Sequence, residues 1–298
     1  MRLQESTVAI VGAGLMGGSL GKALIKAQAC KEVRAVVRRK ESARETLDLH
    51  AAHVADSDAE KLLRDADLVV LATPVRTIER QVMDLGGFMK PGAVMTDMGS
   101  VKRGIVTAME DLPLHVSAIG GHPMCGKETS GLSAADADLF LGKTWVLTPT
   151  ARSGNHATEL ARDLATAVGA RVVIMDAEEH DTIAACISHL CYLLASTLVA
   201  VAEDTAEDLP DVWTLAAGGF RDTSRVAAGD LTMMMDIIAS NRDNVYAMLS
   251  RARDRIDRLM NLIESGDEQV LRTELSRVRE RRSAMFRNNG RARSTREQ

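Results

Sequence analysis

Aromatic side chains are scarce in this sequence, with two Trp, two Tyr and four Phe among 298 residues. The core must therefore be aliphatic, supplemented by the 15 methionines. The cysteines are only Cys30, Cys125, Cys186 and Cys191, with no C-x-x-C pair and no His/Cys spacing of the metal-binding kind. No metal is expected, and the thiols read as those of a reducing, cytoplasmic setting. A net charge of −4 offers no electrostatic reason to bind nucleic acid or an anionic membrane. Basic residues cluster only from Arg34 to Arg44 and beyond Arg277. There is no signal-peptide pattern before the first apolar run, which begins at Thr7.

One stretch does have the length of a membrane span. Ile183–Ala202 contains no Asp, Glu, Lys or Arg, and about 20 apolar residues suffice to cross a bilayer. Acidic residues flank it on both sides (Asp176, Glu178, Glu179, then Glu203 and Asp204), without the basic anchors of a membrane helix. A buried helix, central to a helical domain or a dimer, is the expectation.

The first half alternates β-rich runs with helical stretches. Strands are expected at Thr7–Val11, Val33–Val37, Leu68–Ala72, Ala93–Thr96, Val116–Ile119, Trp145–Leu147 and Arg171–Met175. Such near-continuous Val- and Ile-rich runs suit strands covered on both faces, and the alternation argues for a parallel, doubly wound sheet. From Asp176 the strand signal ends. A helical stripe joins Val245, Met248, Leu249, Ala252, Ile256, Leu259, Met260 and Ile263. The expected organisation is α/β: a Rossmann-type doubly wound domain over 1–175, an all-helical domain over 176–287 whose apolar helix suits dimerisation, and a disordered tail over 288–298.

Directly after the first strand comes Gly12-Ala-Gly14-Leu15-Met16-Gly17, opening an apolar helix. In that context the glycines permit a tight turn, close approach of a pyrophosphate and close helix–strand packing. The helix N-terminus adds N–H donors and positive potential. Thr73-Pro74, after the strand Leu68–Ala72, are further candidates for dinucleotide contact. An acidic residue that would hold the ribose 2′-hydroxyl of NAD is missing: the second strand ends in Val37, followed by Arg38, Arg39 and Lys40. A guanidinium suits a 2′-phosphate, so NADP is the expected cofactor, with NAD possible.

Four further segments follow in order. They are Asp97-Met-Gly-Ser100-Val-Lys102, Gly120-Gly-His122-Pro123-Met-Cys-Gly-Lys-Glu128-Thr-Ser-Gly131, Ser188-His189-Leu190, and Gly219-Phe-Arg221-Asp-Thr-Ser-Arg225. With the glycine turn, these resemble the prephenate/arogenate dehydrogenase family from about residue 7 to residue 286. The resemblance implies NADP-linked oxidative decarboxylation of a cyclohexadiene substrate on the route to tyrosine. It also implies a homodimer with small-molecule substrates.

By the resemblance, His122 is the base that takes the substrate hydroxyl proton, a task suited to a group titrating near neutral pH. Ser100 resembles a serine that bonds this histidine or the hydroxyl. Arg225 resembles an arginine that binds a substrate carboxylate, and Arg221 either shares that work or pairs with Asp222. His189 matches a histidine near the substrate, although a satisfied core histidine is an equal reading. His180 receives no role. Many prephenate-preferring relatives read S-H-L-P-H where this chain has Tyr192 in the last place, and M-W where it has Met233-Met234. These departures point toward arogenate. A 4-amino analogue of prephenate, a β-hydroxyacid dehydrogenase or imine reductase, and a non-catalytic nucleotide sensor stand as alternatives.

Overall fold

A computed structural model describes residues 2–127 and 129–294, with side chains through residue 285. In chain order the elements begin β1 (Thr7–Val11), α1 (Leu15–Lys26), β2 (Glu32–Val36), α2 (Lys40–Asp48), β3 (Val54–Asp56) and α3 (Ala59–Leu63). They continue with β4 (Leu68–Leu71), α4 (Val75–Gly86), β5 (Val94–Asp97), α5 (Arg103–Glu110), β6 (Ser117–Pro123), β7 (Thr144–Pro149), α6 (Gly154–Ala167) and β8 (Arg171–Ile174). The helical part follows: α7 (Ala177–Ala184), α8 (Leu190–Asp208), α9 (Val212–Leu215), α10 (Gly218–Ser224), α11 (Leu231–Ser240), α12 (Arg242–Glu264) and α13 (Glu268–Ser294).

The strands form one eight-stranded sheet in the order β3-β2-β1-β4-β5-β6-β7-β8. Its first six strands pair in parallel, from Val36 opposite Asp56 on one flank to Thr96 opposite Ile119 on the other. Successive side chains of β1 feed opposite faces. Val8 and Ile10 pack with Leu20 and Leu24 of α1 and Leu160 and Leu164 of α6. Ala9 and Val11 pack with Ile78 and Val82 of α4 and Ile105 and Met109 of α5. This two-sided cover is why the strands read as unbroken apolar runs.

Two features differ from the expected set of parallel strands: an added strand and a reversed one. β3 is a three-residue flank strand, too short and too exposed to stand out as an apolar run. β7 pairs antiparallel with β6, and β8 then pairs parallel with β7. Between β6 and β7 the described residues make only a short 3-10 turn at Leu132–Ala134, whereas a parallel return usually needs a helix-length crossover. Between β7 and β8, α6 provides that crossover.

By internal contacts the chain divides into Met1–Val245 and Tyr246–Gln298. The first unit holds the whole sheet together with α7–α11, because Met234 and Ile237 of α11 and Tyr192 of α8 join the apolar layer that covers α4 and α5. In the second unit, Arg258 Nε on α12 donates to Glu274 Oε1 on α13 at 2.6 Å. α13 continues through Ser294, so residues 288–294 are helical where a disordered tail is expected. No proline interrupts that stretch, and Arg favours helix. Residues 295–298 lie outside the described part.

Within the single chain the apolar run is mostly uncovered, which leaves the expected cover to a second copy. Ala177–Asp208 is long and apolar enough to cross a membrane, and 22% of its most apolar window is buried within the chain. Ile187, Leu194 and Val201 are exposed.

Candidate active site

Parallel strands bring their C-terminal ends to one edge of the sheet. There the glycine turn, Thr73-Pro74 and Ser100 follow β1, β4 and β5, and His122 lies near the end of β6, whereas Arg221 and Arg225 lie on the helical part. After β1, Gly12 adopts φ +98, and a Cβ on it would lie 2.8 Å from Thr73 Cγ2. Gly17 allows α1 to approach β1: a Cβ there would lie 2.0 Å from the Gly12 carbonyl oxygen. Around Gly14 there is open space, as a backbone that receives a pyrophosphate requires. Leu15 and Met16 form the first turn of α1. Thr73 Oγ1 donates to Gln81 Oε1 at 2.6 Å, and Pro74 caps α4. Arg38 and Arg39 are exposed just past β2, with Arg39 at the N-cap of α2. These residues fit a dinucleotide.

The next strands build a buried electrostatic brace. Asp97, ending β5, receives the N–H of Gly121 at 2.9 Å and that of Gly99 at 2.7 Å. Lys102 Nζ pairs with the same carboxylate and donates to the Gly121 carbonyl at 2.6 Å. Both side chains are fully buried. Burial pulls the Lys102 pKa below its ordinary value, and the Asp97 charge opposes that pull. Removing one partner would strand a charge, at a cost of about 3–5 kcal/mol. The brace fixes β6 against the Ser100 loop. Gly120 and Gly121 are needed here, since Cβ atoms would lie 2.0 Å from Thr148 Oγ1 and 2.5 Å from the Asp97 carbonyl oxygen.

His122 follows on β6, partly exposed. Its Nδ1 lies 2.8 Å from His180 Nε2. His180 Nδ1 in turn lies 2.8 Å from Asp181 Oδ1. Asp181 accepts the N–H groups of Lys102 at 2.7 Å and Arg103 at 2.9 Å, which caps α5. Desolvation, then the neighbouring His180, Lys102 and His189, hold the His122 pKa well below the usual imidazole value.

His189 closes a π-helical turn, Ala185–His189. In an unbroken α-helix, residues nine apart lie on faces about 180° apart, and the extra residue of a π turn reduces this to about 80°. His189 is thereby brought inward, buried, within 3.3 Å of Asn241 Nδ2. Asn241 Nδ2 also donates to the Asp181 carbonyl at 2.7 Å. His189 Nε2 is buried with no hydrogen-bond partner among the described residues. Burial lowers the His189 pKa to about 4.

Residues 20–174 match the family described as prephenate dehydrogenase, nucleotide-binding domain, and residues 176–277 match prephenate dehydrogenase, dimerization domain. The chain belongs to the prephenate dehydrogenase family. It is 34% identical to a prephenate dehydrogenase of Lactococcus lactis, over 89% of this chain and 73% of the relative. A crystal structure of prephenate dehydrogenase from Aquifex aeolicus, in complex with hydroxyphenyl propionate and NAD+, superposes with a TM-score of 0.85 at 30% identity. It covers 94% of this chain and 98% of that one. Synechocystis arogenate dehydrogenase superposes with a TM-score of 0.81 at 27% identity, covering 93% and 99%. The chain is thus an NAD(P)-dependent oxidoreductase of the prephenate/arogenate dehydrogenase type, using a nicotinamide dinucleotide.

In this family member the expected base, His122, gives its Nδ1 to His180, and the Ser100 hydroxyl makes no hydrogen bond among the described residues. Arg225 heads a 3-10 turn, Arg225–Ala228, and is exposed. Arg221 is 80% exposed and bonds Asp222 at 3.3 Å, the pairing anticipated as one of its two readings. Tyr192 lies beside that turn, where a Cβ on Gly229 would meet its ring at 3.8 Å. His180, Asp181, Asn241, Asp97 and Lys102 are additions that motif reading did not assign. The signal for His180 was its neighbour: a His-Asp pair one turn into a helix that begins at the sheet edge.

Proposed function

We propose that this enzyme oxidatively decarboxylates arogenate or prephenate, with arogenate favoured by Tyr192 and Met234, and passes the hydride to NADP+. The division of labour would be a dinucleotide-binding domain over 1–175 and a helical substrate domain over 176–287 that also forms a homodimer. One observation carries the reading. His122, partly exposed at the sheet edge that also holds the glycine turn, has its pKa held well below the ordinary value and is therefore neutral at working pH. A neutral imidazole is the form that accepts a proton. When bound, the dinucleotide supplies the hydride acceptor, and its pyrophosphate would rest on the N–H groups of Gly14, Leu15 and Met16. Ser100, whose hydroxyl is uncommitted among the described residues, is available to the substrate hydroxyl. Arg225 and Arg221 would hold carboxylate, with His189 and Tyr192 lining the substrate. Four unpaired cysteines suit a cytoplasmic setting.

The test is His122→Asn, which keeps a polar side chain of similar reach. Turnover should fall by roughly 10²–10⁴-fold, the usual worth of a positioned base, with substrate affinity retained. Near-normal turnover would overturn the assignment.

A further inference from the structure

Proton positions in the histidine pair follow from its buried end. Asp181 is acceptor-only as a carboxylate, so the proton between it and His180 sits on His180 Nδ1. In neutral His180, Nε2 is then a lone pair, and it can only accept from His122 at 2.8 Å. That places the ring proton of His122 on Nδ1 and leaves Nε2 as its lone pair. Two alternative tautomers, interchangeable in a free imidazole, are thus reduced to one.

We infer that His180, held by Asp181, is a positioning residue: it fixes the His122 tautomer with Nε2 basic and takes up the proton that His122 collects. The inference rests on His122 being the base. The step balances without further reactants. The substrate hydroxyl proton bonds to His122 Nε2, and the Nδ1 proton of His122 moves to His180 Nε2. The His180 Nδ1 proton stays in its bond to Asp181. The products are a neutral His122 and an imidazolium at position 180 against a carboxylate. The electron pair that leaves as hydride goes separately to the dinucleotide. Loss of carbon dioxide then returns an electron pair to the ring, whose oxygen needs a proton. The reverse shift supplies it.

Burial makes the arrangement suited to holding a proton. His180 and Asp181 are 2% and 1% exposed, so a proton stored there has no direct exit to water. The rings meet edge to face, centroids 5.1 Å apart and planes at 73°, and Asp176 caps the start of α7 through the N–H groups of Glu178 and Glu179.

Two substitutions separate the parts. His180→Phe removes both acceptor and proton store. His180→Gln keeps an acceptor oxygen for His122 Nδ1–H but cannot take the proton. The intact chain is labelled with 15N at histidine, and imidazole nitrogen shifts are read without substrate, followed by steady-state kinetics. The wild type should show a single His122 tautomer protonated at Nδ1. His180→Phe should show mixed tautomers and lose at least tenfold in kcat with little change in KM. His180→Gln should keep the tautomer and still lose kcat. The inference is overturned if His180→Phe keeps the tautomer or keeps kcat within about twofold, or if a folded His180→Gln matches the wild type. The base reading fails separately, through an active His122→Asn. A dead His122→Asn beside an active His180→Phe would spare the base and sink the relay.

Discussion

His189 shows how one side chain couples burial to pH. Its pKa is lowered from 6.5 to about 4 by desolvation, with Asp181 opposing. A group that binds protons less readily when folded favours unfolding as pH falls. Its stabilising contribution is complete above about pH 6.5, is lost progressively as pH drops, and is gone below about 4. The difference across that window is on the order of 3 kcal/mol, since each unit is worth about 1.4. His189→Gln keeps an acceptor for Asn241 and removes the titration. Urea unfolding at pH 7 and pH 4.5 should show the wild type losing about 2–3 kcal/mol more than the variant between the two. Equal losses would mean that His189 is already solvated. His122 shifts in the same direction but is present in both proteins, so the comparison isolates position 189.

Among the elements, β2 and its exit decide the cofactor. Val36 ends the strand, and Val37 sits in the core with its N–H donated to the Asp56 backbone carbonyl. No carboxylate ends this strand to take a ribose hydroxyl, and Arg38 and Arg39 are exposed at the turn. A charge-assisted contact to a 2′-phosphate contributes about 1.5–3 kcal/mol, or one to two powers of ten. The specificity constant should therefore favour NADP+ over NAD+ by at least about tenfold. Arg38→Ala with Arg39→Ala should weaken NADP+ use and leave NAD+ use nearly unchanged. A wild type that prefers NAD+ would reduce the turn to a solvated loop. Restoring an acid at Val37 is a poorer test, because that side chain is buried. The strands feeding this edge were legible in the sequence because two-sided burial demands apolar runs. β3 was not, being three residues long, and the reversed β7 was not, because strand direction depends on what the intervening chain can form. His122 was legible through its Gly-Gly-His-Pro setting. His180 was hidden because the side chain it meets, His122, lies on β6, and the N–H groups that hold its neighbour Asp181 come from Lys102 and Arg103, all far from it in sequence.

For the whole molecule, the uncovered apolar surface is the unsettled account. In the first unit Ile183, Ile187, Leu194, Val201, Leu209 and Leu231 are exposed. In the second, the α12 stripe continues past Val245 and Met248, both buried, to Ile256, Met260 and Ile263, at 50%, 60% and 68% exposure. Exposed apolar side chains in this number, in each unit, mark an association site, and a helix this apolar is covered by protein or by lipid. The acidic flanks disfavour lipid, and residues 176–277 match a dimerization domain, so a second copy of the chain is the expected cover. A closed twofold pair would bury the same residues from both copies. Leu194→Glu with Val201→Glu tests the first-unit surface, and Ile256→Glu with Met260→Glu tests the second. The wild type should sediment as a dimer at micromolar concentration, and each pair should shift it toward monomer. If the stripe is part of the interface, a charge placed on it is doubled by symmetry, so the effect should exceed that of the same change at an exposed polar site such as Arg279. A wild type that sediments as a monomer would leave these faces without a protein partner, and detergent or vesicle binding would then be the measurement that decides what covers them.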